Sequence, residues 1–352
     1  MRPFRVTIYG GGSIGTALAA ALSANEGFDV QLVDVNDEAL DLAKRMHLPI
    51  TLRGAAHPND ECRLVVGQDL IVAAVPDRNV HQIAAIAAQA KTHYLDFSHP
   101  DQASSAVLGP LSEERAVITG CGASPGLVEN FSADLLRNFS SVQDVTIRVG
   151  AIPRFPTNRL GYGKVWNFDG LFDEYMQPSI GLRKGRPISL TPLEEYEQFT
   201  IDGVPYEAFI TSGGVSDVRT IHDNLTNLTF KTIRHPGHLD YMRFLLEDLG
   251  LRDRRDMLRS VLSNGLPLIE DDVVLFFITA RGFNNRQLVE RSVFHRLAPR
   301  FQSDKFNALT RVAVGYAASV VSMLKDGKIN VPGIVDHRSI DTTAMKESPF
   351  LQ

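Results

Sequence analysis

Over residues 1–125, short apolar runs alternate with segments in which apolar residues return at helical spacing. The runs fall at 6–9, 30–34, 69–75, 93–97 and 116–120, and the third stops at Pro76. Between them, 17–22, 37–46 and 79–90 read as helices, the second with Asn36 as its cap. Strands alternating with helices predict a parallel sheet. Beyond about residue 140 the character changes. Strand-like runs at 145–151, 207–211 and 273–280 are separated by polar turns, which predicts a mixed or antiparallel sheet with helices on one side. Residues 306–324 form a strong helical pattern, with Ala308, Leu309, Val312, Ala313, Tyr316, Ala317, Val320 and Met323 in phase. This helix is expected to pack back on the first domain. The expected division is therefore 1–125, completed by 305–352, and a second domain at 126–304. No internal repeat, low-complexity tract or long flexible linker interrupts the pattern.

The first strand runs into Gly10-Gly11-Gly12-Ser13-Ile14-Gly15, and Asp34 follows nineteen residues after Gly15. Gly10, Gly12 and Gly15 fit G-x-G-x-x-G. The first glycine allows the tight turn, the second lets the backbone approach a pyrophosphate, and the third lets helix and strand pack closely. N–H groups at the helix start, at Gly12, Ser13 and Ile14, would face the phosphates. Asp34 ends the second strand, where a carboxylate can accept both ribose hydroxyls. It is followed by Val35 and Asn36 and not by arginine. An aspartate there repels a 2′-phosphate, so the balance favours NAD over NADP. Other uses of such a turn are a flavin or nucleotide sugar, or no ligand at all.

Composition adds boundaries. At 352 residues the chain is long for one core and short for three, so two domains are expected. With 44% hydrophobic and 22% charged residues and a mean hydropathy of −0.06, it reads as a soluble globular protein. A formal charge of −5 and a pI near 6.1 give no electrostatic case for nucleic acid or an anionic membrane. The start runs straight into the first strand without a signal-like stretch, and no uncharged run approaches the roughly eighteen residues of a membrane span. Two cysteines, Cys62 and Cys121, make neither a disulfide framework nor a zinc site, and no carboxylate–histidine spacing supports a metal. A cytoplasmic location fits. Asn138, Asn224 and Asn227 open N-x-S/T triplets, read as chance matches in a cytosolic protein.

Ligands in a doubly wound sheet sit beyond the carboxyl ends of the strands. Val75 and Pro76 there join the cofactor set. Asp96 ends an apolar strand, so it is a candidate polar group at the reacting centre, with a turn cap as the plainer reading. His99 reads as merely exposed. Cys121 would lie beside the nicotinamide, as packing or as a reactive group. Ser124-Pro125-Gly126 reads as a helix start with Pro125 at its first position. Its N–H groups could hold the carboxamide of nicotinamide or a substrate oxygen. Lys231-Thr232-Ile233-Arg234-His235-Pro236-Gly237-His238 puts two histidines, an arginine and a lysine at the N-terminus of an amphipathic helix (Leu239, Met242, Leu245, Leu246, Leu249), which suits a carboxylate-bearing substrate. Arg234 could grip a carboxylate with the helix end assisting, and His235 or His238 could take a proton. A solvated basic cap is the alternative.

With these runs in view, the chain resembles the saccharopine dehydrogenase (reductase-type) and lysine 6-dehydrogenase family. Further matching stretches are Trp166-Asn167-Phe168-Asp169-Gly170-Leu171 leading to Glu174-Tyr175, Tyr206-Glu207-Ala208-Phe209 with Thr211-Ser212-Gly213-Gly214, and the late helix followed by Gly327. The resemblance spans nearly the whole chain in order. It implies an α/β fold: a Rossmann doubly wound parallel sheet with a second mixed α/β (α+β) domain for substrate binding and dimerisation, hence a homodimer. The implied activity is NAD(P)-dependent oxidation at a carbon bearing an amine, or the reverse reduction. Length and Asp34 look most like lysine 6-dehydrogenase. Saccharopine reductase and carboxynorspermidine dehydrogenase activities belong to the same family. Asp96, Cys121, Arg234 and His235 fall where relatives place active-site groups, although His235 stands where they often have an aromatic residue. Val335-Asp336-His337 departs from an expected Pro-Glu.

On this reading Arg234, with Lys231, anchors a substrate carboxylate. Asp96 or His238 handles the proton, and Cys121, Trp166 and Tyr175 line the pocket. Two competing readings are a non-catalytic NAD-binding regulatory protein and a semialdehyde dehydrogenase using Cys121 as nucleophile.

Overall fold

The computed structural model describes residues 2–54, 65–215, 217–218, 221–222, 225–301 and 304–352. Cys62 and Asn224 lie outside them. Two compact units emerge: Met1–Leu127 with Pro299–Phe306 and Thr310–Gln352, and Val128–Ala298 with Asn307–Leu309.

The first unit is built on a seven-stranded parallel sheet. Its strands are β1 (Phe4–Tyr9), β2 (Phe28–Asp34), β3 (Thr51–Gly54), β4 (Leu70–Ala73), β5 (His93–Asp96), β6 (Ala116–Ile118) and a late strand, β15 (Gly333–Ile334). They lie in the order β3-β2-β1-β4-β5-β6-β15, a doubly wound arrangement in which every pairing is parallel. Val6, Ile8, Leu32, Ile71 and Val72 are fully buried, because both faces of such a sheet are covered. Helix α1 (Ser13–Ser23) follows β1, and α3 (Asp77–Ala90) follows β4. From α3, Val80, Ile83 and Ile86 enter the core, each gaining about 1.5–3 kcal/mol from burial.

Several local expectations shift. The segment 37–46 is a 3₁₀ turn, Asp37–Leu40, and a short α2 (Asp41–Arg45); Asn36 does cap it, accepting from Glu38 N–H at 2.9 Å. Helix α4 (Gln102–Ser112), hidden in the sequence by Gly109 and Pro110, is capped by Asp101, which accepts from Ser104 N–H at 2.7 Å. His337, in the divergent tail, donates from Nε2 to the Thr119 carbonyl and accepts the Tyr316 hydroxyl at Nδ1, both at 2.8 Å. It thereby ties the loop after β6 to the last long helix.

The second unit carries an eight-stranded mixed sheet. Its strands are β7 (Ser141–Pro153), β8 (Ser179–Arg183), β9 (Arg186–Leu190), β10 (Glu197–Ile201), β11 (Val204–Ile210), β12 (Asn227–Arg234), β13 (Asp272–Asn284) and β14 (Gln287–Leu297). The path β10-β11-β12-β7-β13-β14 is antiparallel except where β12 runs parallel to β7. Helices α5 (Leu127–Leu136), α6 (Phe168–Met176), α7 (His238–Arg243) and α8 (Arg255–Gly265) accompany it. α6, α7 and α8 join one core of Leu171, Phe172, Tyr175, Phe209, Met242 and Leu258. A smaller cluster of Ile152, Tyr206, Ile233, Val273 and Leu275 contains no helical residue. The amphipathic run after His238 is α7 followed by a π-helical turn, Phe244–Asp248, which leaves Leu249 half exposed. Helix α9 (Ala308–Lys325) starts two residues later than the pattern suggested, because Asp272 caps it by accepting from Ala308 N–H and, at 3.0 Å, from Leu309 N–H. Among the described residues no helix is long and apolar enough to cross a membrane.

Candidate functional site

In the first unit, three glycines behave in three ways. Gly10 has φ +108°, and a Cβ there would lie 2.2 Å from the Ala74 carbonyl oxygen. A Cβ on Gly15 would lie 1.8 Å from the Gly10 carbonyl oxygen. Both are required by the protein's own packing. Gly12 is different: its backbone is ordinary (φ −68°, ψ −171°), and a Cβ would meet nothing within 4 Å. No protein neighbour requires a glycine there, so the main chain at Gly12 is open to an approaching group. Gly12 is the N-cap of α1, no side chain caps it, and the first turn holds no acid. The positive end of the helix, with the amides of Ser13 and Ile14, is left for an anion. Val75 packs behind Gly10, with its Cγ1 3.3 Å from the position of the missing Cβ. Pro76 caps α3.

Asp34 closes the cradle. Its Oδ2 accepts from Gly11 N–H at 2.7 Å and its Oδ1 from Asn36 N–H at 2.8 Å. The carboxylate is thus held against the glycine turn at the end of β2. These residues fit a dinucleotide: the turn and helix end suit a pyrophosphate, and Asp34 suits a ribose.

Asp96 is fully buried at the end of β5. Its Oδ1 accepts from Gly120 N–H at 2.9 Å and Ser98 N–H at 3.3 Å, and its Oδ2 accepts from Tyr94 O–H at 3.0 Å. Burial pushes its carboxyl up to about 7, against the pull of those donors. Cys121, also fully buried, donates its backbone N–H to the Asp96 carbonyl. Burial, and then the Asp96 charge, push its thiol well above the ordinary range. A protonated, enclosed thiol is not a nucleophile, so Cys121 packs and does not attack. Both observations speak against the semialdehyde dehydrogenase reading. Pro125 is not a first helical residue. Gly126 follows it at φ +108°, its missing Cβ 2.6 Å from the Gly120 carbonyl oxygen, and α5 begins only at Leu127. Gly122 N–H turns inward to the Gly120 and Pro125 carbonyls, so the Ser124–Gly126 loop closes on itself.

In the second unit, the run 231–238 is the end of a strand, a turn and a helix start at His238, so the expected helix N-terminus is there and the charges before it belong to a strand. Alternation on β12 sends Lys231 and Ile233 to one face and Thr232 and Arg234 to the other, and His235 follows just past the strand end. Lys231 is buried on the first face, bonded to the Glu195 carbonyl at 2.6 Å and lying 3.4 Å from Glu197, which Arg148 grips with two bonds. It is spent within the sheet and does not join Arg234. His235 donates Nε2–H to the Pro153 carbonyl at 2.8 Å, and burial lowers its pKa. It edges an apolar cavity of about 760 Å³ with Phe155, Pro205 and Tyr241. The start of α7 is not open to a substrate carboxylate either: Glu207 accepts from Gly237 and Leu239 N–H, both at 2.7 Å.

Arg234 lies on the helical face, 3% exposed. Its Nε donates to the Tyr175 hydroxyl at 2.8 Å and its Nη1 to the Ile233 carbonyl at 2.9 Å. The guanidinium sits over the Tyr162 and Tyr175 rings, 5.0 and 5.7 Å from their centroids. Tyr162 accepts from Trp166 Nε1–H at 3.2 Å. The Tyr175 hydroxyl meets His238 Nε2 at 2.8 Å, and His238 Nδ1 meets the Leu160 carbonyl at 2.9 Å. A carbonyl only accepts, so Nδ1 carries the proton and Nε2 accepts from Tyr175. Burial, then Arg234, lower the His238 pKa to about 3. His238 is therefore a neutral, saturated prop for Tyr175 and not the expected proton acceptor.

Four residues without assigned roles take part. Tyr94 stands two residues before Asp96 on the same strand face, a period-two signal visible in the sequence. Glu207 acts on partners about thirty residues away and left no local sign, and Tyr162 meets Trp166 four residues on as well as the distant Arg234. Glu174, next to Tyr175, places Oε2 3.5 Å from Arg234 Nη2.

A parallel sheet in this order, with open space at the second glycine and an acid fixed beside the turn, is a Rossmann-class arrangement that suits a dinucleotide. Two domain profiles match: the saccharopine dehydrogenase NADP binding domain over residues 6–116 and the saccharopine dehydrogenase C-terminal domain over residues 122–351. The chain belongs to the saccharopine dehydrogenase family. The solved structure of saccharopine dehydrogenase (L-Glu forming) from Saccharomyces cerevisiae is similar with a TM-score of 0.79 at 13% identity, covering 98% of this chain and 96% of that one. A myo-inositol dehydrogenase from Corynebacterium glutamicum is a more distant likeness, with a TM-score of 0.47, 13% identity and coverage of 98% and 94%.

Proposed function

We propose that this protein is an NAD-dependent dehydrogenase that oxidises an amine-bearing carbon of an amino acid, of the lysine 6-dehydrogenase type. The observation that carries the dinucleotide part of this reading is Gly12, a glycine with open space where its side chain would be, at an uncapped helix end beside a fixed Asp34; the oxidoreductase part rests on the family. Gly10 to Gly15 and Asp34 would hold the dinucleotide, whose nicotinamide, when bound, takes the hydride from the substrate carbon. Asp34 presents a fixed anion where NADP would bring a phosphate, which supports NAD although the family domain is named for NADP.

Arg234 is assigned the substrate carboxylate. Its guanidinium is already oriented by Tyr175 and Ile233, so little rotamer freedom is lost on binding. The substrate ammonium must lose a proton before the carbon can be oxidised, and Asp96, in the first unit, keeps the proton-handling role that its place at the end of β5 suggests in the sequence. Tyr162 and Trp166 supply apolar wall. The oxidised product is an imine, which water converts to an aldehyde and ammonia; the aldehyde then closes on the α-amine. A homodimer is part of the same reading.

The test is NADH absorbance with L-lysine, saccharopine and carboxynorspermidine, each with NAD and with NADP. Turnover with an amine, and a kcat/KM at least tenfold higher with NAD, is expected. Tight NAD binding without turnover of any amine overturns the activity and leaves a dinucleotide-binding regulatory protein. A preference for NADP overturns the role given to Asp34.

A further inference from the structure

We propose that Glu174 and Arg234 together read the zwitterionic head of an α-amino acid, Arg234 taking the carboxylate and Glu174 the ammonium. This rests on the activity proposed above and narrows its substrate class. The two charges are held unequally. Arg234 is fixed by good bonds to Tyr175 and Ile233, and Tyr175 is fixed in turn by His238. Glu174 is 3.5 Å away from the remaining edge, Nη2, and its buried Oε2 has no hydrogen-bond partner. An oxygen in that position is short of a donor. The Glu174 side chain is 28% exposed and that of Arg234 is 3% exposed, so an arriving ligand meets Glu174 first. The Glu174 contact is the replaceable one.

Charge balance then selects the ligand. A carboxylate without an ammonium would occupy Arg234 and leave the Glu174 carboxyl, which burial already pushes up to about 7 against the pull of Arg234, without that partner. An amine without a carboxylate would occupy Glu174 and strand Arg234. Leaving one member of such a pair alone is strongly unfavourable. Only a ligand with both charges on neighbouring atoms exchanges one internal pair for two ligand pairs.

The experiment is titration calorimetry of the full chain saturated with NADH. The probes are L-lysine with its counterparts 6-aminohexanoate, which lacks the α-ammonium, and cadaverine, which lacks the carboxylate. L-Glutamate and glutarate form a second pair. The parent chain is expected to bind an amino acid about tenfold or more tighter than either counterpart. Glu174→Gln should reduce the advantage over the α-deamino counterpart to about twofold or less, by weakening the amino acid and sparing the counterpart. Arg234→Lys should weaken both carboxylate-bearing probes and spare cadaverine. Circular dichroism melting reports whether each variant folds. If Glu174→Gln does not, Glu174→Asp serves: it keeps the charge, shortens the reach, and should weaken the amino acid alone. An advantage unchanged in a folded Glu174 variant overturns this assignment only, and marks the pair as structural. If no amino acid binds the parent chain, the proposed activity falls and this assignment falls with it.

Discussion

Gly12→Ala separates ligand binding from folding. The backbone at Gly12 suits alanine, and the new methyl group would meet nothing within 4 Å. Alanine is a poorer N-cap than glycine, by roughly 0.5–1 kcal/mol. It also narrows the unfolded ensemble, which returns about 0.4–1 kcal/mol. The two nearly cancel, so the melting temperature should move by no more than about 2 °C. Binding should not be spared. A methyl group at the mouth of the cradle would hold a pyrophosphate off the amides of Ser13 and Ile14. Two hydrogen bonds to a charged group, at about 1.5–3 kcal/mol each, correspond to a loss of roughly 10²–10⁴ in affinity. Gly15→Ala is the contrast, because its Cβ would lie 1.8 Å from the Gly10 carbonyl oxygen. That variant should lose stability and binding together. NADH titration by calorimetry, with thermal melts on the same samples, reads both quantities. A Gly12→Ala protein that keeps both its melting temperature and its NADH affinity would refute the assignment of this turn to the cofactor.

Two buried groups make opposite predictions about pH. Asp96 rises from 3.8 to about 7, chiefly by burial. Between those values the folded chain holds a proton that the unfolded chain has lost, so this group removes stability as pH rises from about 4 to 7. At 1.36 kcal/mol per pH unit the ceiling is about 4 kcal/mol. Asp96→Asn should flatten the difference in urea stability between pH 5 and pH 8 relative to the parent chain; an unchanged difference refutes it. His238 falls from 6.5 to about 3, again chiefly by burial. The unfolded chain takes a proton that the folded chain refuses, so stability is lost as pH falls from about 6.5 toward 3. His238→Gln should cost about 1–3 kcal/mol at pH 7, where the imidazole bridges Tyr175 and Leu160, yet lose less on acidification than the parent. A variant that loses as much from pH 7 to pH 4 as the parent would sink the neutral-prop role.

What could be read in the sequence was local. The glycine turn, the strand ending at Asp34 and the Asn36 cap depend on residues a few positions apart, and each lies where the pattern placed it. The alternation of strand and helix in the first unit was legible for the same reason. In residues 231–238 the density of charge hides the strand periodicity of the first half. Phe230, Thr232 and Arg234 alternate with Lys231 and Ile233, a strand signal that divides the cluster between two faces. The start of α4 was masked by helix-breaking residues near its end, although Asp101 gave a capping signal.

The larger gap concerns which polar groups are already satisfied. Residue types suggest what a side chain can donate or accept; only the fold shows what remains to be given. His238, His235 and Lys231 looked like agents, yet each is committed to a carbonyl or carboxylate of the chain. Glu207 looked like one more strand residue, yet it neutralises the helix end that a substrate was expected to use. Arg234 and Glu174 differ from all of these. The arginine keeps one edge in a loose 3.5 Å contact, and the glutamate oxygen facing it is buried without a hydrogen bond. A buried charge pair adds little to stability over a well-packed apolar alternative. An incompletely bonded one, with one member partly exposed, is better explained by a ligand than by the fold.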